Sequence, residues 1–208
     1  ISTRDWSSDV CSSDLFREKC QRLQQLYGEF EEAVGPHTSG AVCRPGCSDC
    51  CTNVGTVDAT TLEGWIILNH LQNLPAGVQK EYAKKLKNNR KDKSSSKFAR
   101  CAFLRKDQTC GIYSVRPFSC RRLYSVAVCG ETGPTVHRGV WQIAQQTAAA
   151  IQALDDTGYS GHISFILALL KDSKFRSVYL DGGFDPGAIE SYAREHSISI
   201  NRFLAARS

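Results

Sequence analysis

Four of the chain's ten cysteines fall within nine residues: Cys43, Cys47, Cys50 and Cys51. Pro45 and Gly46 favour a turn between the first two, and a turn lets neighbouring sulfurs converge on one centre. Cys47-x-x-Cys50 is a spacing at which two thiolates hold one ion while intervening amides hydrogen-bond to the sulfurs. A second set, Cys101, Cys110, Cys120 and Cys129, recurs at intervals of nine, ten and nine. Strand ends and turns can bring this set back toward the first loop. Four thiols, or two groups of four, meet the needs of a zinc or an iron–sulfur centre. All eight are therefore candidate metal ligands.

Disulfides are the competing use of so many cysteines. Adjacent residues such as Cys50 and Cys51 join to each other only with strain. Disulfide-rich chains are mostly small secreted modules without a core, whereas this one carries several core-forming helical stripes. Spacing thus favours metal ligation over a disulfide framework.

The loop from Cys43 to Cys51 is followed by Cys101-Ala102-Phe103-Leu104. Then comes Cys110-Gly111-Ile112-Tyr113-Ser114-Val115-Arg116-Pro117-Phe118-Ser119-Cys120-Arg121. Together these resemble the YkgJ-type cysteine-cluster family, the CxxCxxCC zinc- or iron-chelating proteins. The second stretch is the more specific part, with Cys, Ile-Tyr, Arg-Pro and Cys-Arg in that order. The resemblance covers about Cys43 to Cys129. It departs from the family pattern in placing three residues, not two, between Cys43 and Cys47. It implies a bound zinc ion, iron or iron–sulfur cluster.

Arg116, before Pro117, could place a cation beside anionic thiolates, or it could pair with a surface acid. Arg121 and Arg122 have the same option. Tyr113 and Phe118 are expected to wall the site from solvent. The histidines (His37, His70, His137, His162 and His196) lie outside any ligand-spaced pair, and His37 is nearest the cysteine loop.

Helical stripes must position these residues. Phe16, Cys20, Leu23, Tyr27, Phe30 and Val34 alternate in steps of four and three, so an amphipathic helix runs from Phe16 until Gly35-Pro36 ends it. Cys20 lies on this stripe and is expected in the core. Thr60 with Glu63 makes a capping box that opens a helix through Leu74, closed by Pro75. A helix over Gly77–Lys91 is expected to dissolve into the polar loop Lys91–Lys97. Cys101–Tyr113 reads as two short strands about Lys106-Asp107-Gln108, and Ser114–Leu123 as a turn and short helix. Arg138–Leu154 carries Val140, Ala144, Thr147, Ile151 and Leu154 on one stripe. Further helices are expected at Gly161–Leu170, Pro186–Glu195 and Ser199–Ala206. The fold class is mainly α: a helical domain with a small β-hairpin and cysteine-rich metal-binding loops. Residues 16–208 are expected to form one domain, with a metal-chelating core at about 43–129 and a helical extension at 138–208.

Residues 1–15 have no periodicity and read as a non-native, adapter-like segment, so Cys11 is set aside. The chain has no methionine, a net charge of +5, and +7 once Arg4, Asp5, Asp9 and Asp14 are dropped. Ligating thiolates would offset part of that surplus. Eleven basic residues stand between Lys80 and Lys106 with few aromatics among them, which fits a solvated helix face better than a nucleic-acid surface. No apolar run reaches membrane-spanning length, and the expected compartment is cytoplasmic. Three functions stay open. One is an iron–sulfur protein serving electron transfer or a redox partner. Another is a structural zinc module that holds a protein-contacting loop. The third is a metal-dependent protein-modifying enzyme, since a flagellin lysine methylase is similar over this motif. No catalytic residue is assigned.

Overall fold

The computed structural model describes residues 14–206 apart from 45, 54, 97, 131 and 132. Most of the adapter-like segment, residues 1–13, lies outside the described residues. The first helix, α1 (Asp14–Val34), buries Phe16, Cys20, Leu23, Leu26, Phe30 and Val34. Gly35-Pro36 then forces a single 3-10 turn. A short helix, α2 (Asp49–Asn53), lies inside the cysteine loop. Strand β1 (Asp58–Thr60) leads into α3 (Thr61–Gln72). The capping box is present there: the Thr60 hydroxyl accepts from the Glu63 amide, and the Glu63 carboxylate accepts from the Thr60 amide.

Pro75 precedes α4 (Ala76–Ser95), which continues through the segment expected to be a loop. Lys93 makes that continuation favourable by donating to the Gly55 carbonyl and the Thr56 hydroxyl, both at 3.1 Å. The stretch expected as two strands is reduced to one antiparallel bridge, Leu104 with Cys110, around the turn at Gln108. Helix α5 (Phe118–Arg121) follows, then α6 (Arg138–Leu154), with Val140, Ala144 and Ile151 buried.

The sheet is built instead from segments far apart in sequence. Strand β2 (Tyr159–His162) pairs antiparallel with β1 on one side and with β3 (Ser199–Ile200) on the other. Two expected helices therefore start late, as α7 (Ile163–Leu169) and α10 (Asn201–Ala205), because the residues before them are taken up in strand pairing. Between them lie α8 (Ser173–Leu180), capped by Asp172, and α9 (Glu190–Glu195). Helix α8 lies outside the helices expected from the sequence pattern. Helix α1 packs on α6, α3 on α7, and the buried apolar residues form one cluster from Phe16 to Ile198.

One buried acid joins these layers. Asp155, at the end of α6, is fully buried. Its carboxylate accepts from the Tyr179 hydroxyl (2.7 Å), the Thr61 hydroxyl (2.8 Å), the Leu62 amide (3.0 Å) and the Asn201 side chain (3.0 Å). It so caps α3 from outside and ties α8 and α10 to it. Burial pushes its pKa up to about 7 against the pull of these donors.

Asp155→Ala leaves several donors buried without an acceptor and should cost about 3 kcal/mol in urea unfolding. The folded carboxyl holds its proton more tightly than the unfolded one. Its contribution to stability is therefore complete below about pH 4 and fades as pH rises through about 7. The wild-type urea midpoint should fall over that window, and the fall should be shallower in Asp155→Ala.

Candidate metal centre

One backbone and one side-chain contact bring the cysteine blocks together. The Cys101 amide donates to the Cys51 carbonyl at 2.8 Å, and the Ser48 hydroxyl reaches the Gln108 side chain at 2.8 Å. Helix α2 holds Cys50 and Cys51, the bridge at Leu104 holds Cys110, and α5 holds Cys120. Gly111 permits this packing, since a Cβ there would overlap the Tyr82 hydroxyl and crowd the Phe103 carbonyl.

Cys50, Cys51, Cys101, Cys110 and Cys120 form an inner group of mutually interacting thiols. The Cys50 thiol is hydrogen-bonded to Cys51, and Cys51 to Cys101. Cys120 is within electrostatic reach of Cys50, Cys51 and Cys110. Cys43, Cys47 and Cys129 form an outer group joined to the inner one through Cys50. Cys43 and Cys47 are exposed, and none of the nine described cysteines forms a disulfide. Cys20 is in the core, as its place on the α1 stripe implies.

The thiols shape one another's ionisation. The bond to Cys51 and then burial push Cys50 far up, while the bond to Cys101 and burial push Cys51 up to about 12. Burial and then the neighbouring thiols raise Cys120, and burial raises Cys110 and Cys43. Opposing this, backbone amides donate to sulfur: Ser125 to Cys43 at 3.3 Å and Ile112 to Cys110. Arg116 and Arg105 place positive charge near Cys110. Such a group resists ionising alone, and a bound cation relieves that resistance by replacing the protons.

The donor set therefore fits a thiophilic metal in kind, with soft sulfurs and amide donors aimed at them. Among the described residues, however, no three His, Cys, Asp or Glu side chains already form a group that could hold an ion. The sulfurs are neighbours in a chain of contacts, and closing them around a metal requires them to draw together.

Other residues singled out from sequence separate clearly. Arg116 stacks on Tyr113 at 4.0 Å while lending its charge to Cys110. Arg121 instead staples the fold: it lies 4.2 Å over the Tyr27 ring, pairs with Glu31 at 3.0 Å and donates to the Ser114 and Arg116 carbonyls. Phe118 is buried, but Tyr113 is 63% exposed and so does not wall the thiols from solvent. His37 stacks on His137 with ring centroids 4.9 Å apart, a pairing that sequence spacing had hidden.

Gly111→Ala should push Tyr82 and the Cys110 turn apart. We expect unchanged helical content by circular dichroism but a clear loss of bound metal, on the order of half or more, because the ligand turn carries the displacement.

The family model described as CxxCxxCC, "Putative zinc- or iron-chelating domain", matches residues 42–146. No curated protein and no solved structure matches the chain. The matched span begins beside Cys43 and contains both cysteine blocks, the amide donors to sulfur and the cations near Cys110. The chain belongs to the CxxCxxCC family of zinc- or iron-chelating proteins.

Proposed function

We propose that the chain holds an iron–sulfur centre on its cysteine cluster and serves electron transfer. The observation that carries this reading is the inner group of five neighbouring thiols on three anchored segments, with amide donors directed at sulfur. A cluster supplies reversible one-electron chemistry when bound. Cys50, Cys51, Cys101, Cys110 and Cys120 are the proposed inner ligands, with Cys43, Cys47 and Cys129 available for a further one. Eight thiols exceed what one structural zinc ion requires. Among the described residues, no histidine is among the main influences on Cys50, Cys51, Cys110 or Cys120, although zinc sites often include one.

The chain's own residues do the rest. Arg116 and Arg105 offset negative charge at Cys110, which favours the more reduced, more negative state of a cluster. Exposure of Cys43 and Cys47 leaves one side of the site open, where a redox partner protein could approach. No helix among the described residues is long and apolar enough to cross a membrane.

Protein isolated without oxygen should be brown, absorb at roughly 400 nm and bleach with dithionite. Colourless protein with stoichiometric zinc and no iron would remove the redox role and leave a structural zinc module. Cys20→Ala should keep full metal content and lose only about 1 kcal/mol of stability. Cys120→Ser should lose the metal, and the two variants together separate a core thiol from a ligand.

A further inference from the structure

A cavity of about 760 Å³ opens between strands β1 and β2, Ser119 on α5, Arg122 just beyond it, and the chain around His196. That volume lies within the range of small-ligand sites. The charged side chains that line it are Asp58, Glu63, Lys93, Arg122 and Glu195; Glu63 is engaged within the core, and the exposed Asp58 and the Arg122 guanidinium face each other across the cavity's β1–α5 side. Neither is closed into an ion pair among the described residues. No hydrogen bond or ion pair reaches the Asp58 carboxylate among the described residues. The Arg122 Nε is buried with no hydrogen-bond partner.

The charges feel each other, since Lys93 first and then Arg122 offset the upward push of burial on Asp58. They nevertheless do not close into a pair. Asp58 is held by the pairing of β1 with β2, opposite His162, while the Arg122 guanidinium lies 5.6 Å over the Trp141 ring. Lys93, on the same wall, spends its ammonium on the Gly55 carbonyl and Thr56. The His162 ring, whose Nδ1 meets the Ser164 hydroxyl at 2.8 Å, is neutral because burial lowers its pKa to about 4.

We propose that this cavity binds a small zwitterion, an amino acid or short peptide, with its carboxylate on Arg122 and its ammonium on Asp58. A simple anion would satisfy the guanidinium but set a second negative charge near Asp58, and a simple cation would do the reverse. A ligand carrying both charges meets both groups without moving either from its anchor, with Lys93 adding positive charge on the same wall. The guanidinium fork suits a carboxylate, and the remaining space accommodates a side chain or a second residue. This site needs no metal, so it stands or falls separately from the iron–sulfur reading.

The test is calorimetric titration of the full chain with the free proteinogenic amino acids and with trialanine. Each ligand that binds is then repeated in its N-acetylated and C-amidated forms. Saturable binding by at least one zwitterion is expected, weakened at least about tenfold by blocking either end. Binding by the amino acids or by trialanine identifies which source the site takes. Asp58→Asn and Arg122→Gln should each weaken that binding by a similar factor. Three results would overturn the proposal: no saturation by any zwitterion up to about 10 mM, equal binding of the blocked forms, or unchanged affinity in both variants. The blocked ligands test the wild-type protein and so decide the matter even if a variant fails to fold.

Discussion

A buried carboxylate without a cation is stable only where protein dipoles replace its water, and Glu63 is placed in this way. It is 4% exposed and accepts from the Thr60 amide (2.8 Å), the Tyr27 hydroxyl (2.7 Å) and the Phe118 amide (2.6 Å). Thr60 caps α3 and Phe118 opens α5, so the carboxylate sits against the positive ends of two helices. The consequence reaches the thiols. Once Phe118 is tied to Glu63, the turn after Pro117 has one place to go, and Cys120 comes with it. Tyr27 and Arg121 complete the clamp, the ring of the first lying beneath the guanidinium of the second. The burial of one acid on α3 thus fixes the position of a cysteine 57 residues later.

What could be read from the sequence follows the range of the forces involved. The stripes of α1 and α6 and the capping box of α3 are local patterns, and each is found where the spacing puts it. The three-stranded sheet is not local: β1 meets β2 across about a hundred residues, and β3 lies about forty further on. Strands of two to four residues carry no readable alternation, so Gly161–Leu170 looks helical until β1 claims its first residues. Asp155 looked like a residue just past a helix end. Its four donors come from Thr61, Leu62, Tyr179 and Asn201, and no sequence spacing joins them. The cysteine blocks were legible as two sets, but the division into an inner and an outer group depends on the Cys101–Cys51 backbone contact.

The three arginines after Tyr113 show why residue type alone does not assign a role. All three are guanidinium groups within seven residues, and any of them could have faced the thiols. Arg121 meets carbonyls, Glu31 and a ring, and is wholly engaged in holding α5 against α1. Arg116 points the other way and contributes charge at Cys110. Arg122, one residue beyond the clamp, turns toward Asp58 and the cavity. Charge is therefore distributed among three surroundings by position along the chain: Arg116 ends the 3-10 turn before Pro117, Arg121 lies on α5 and Arg122 caps its end, about 100° further round the helix.

The same geometry divides the cysteines by how they are anchored. Cys51, Cys110 and Cys120 sit on backbone that is bonded into α2, the Leu104 bridge and α5. Cys43 and Cys47 sit on a strip tied down by the Val42–Ser125 and Arg44–Cys47 backbone bonds, with Gly46 at φ +84° easing the turn. A chelate whose ligands all lay on rigid segments would need them prearranged, and no such prearranged group exists among the described residues. A mixed set works differently. Five sulfurs lie together on anchored backbone, whereas Cys43 and Cys47 reach them from a separate strip, so a metal shared by both groups would have to draw them together.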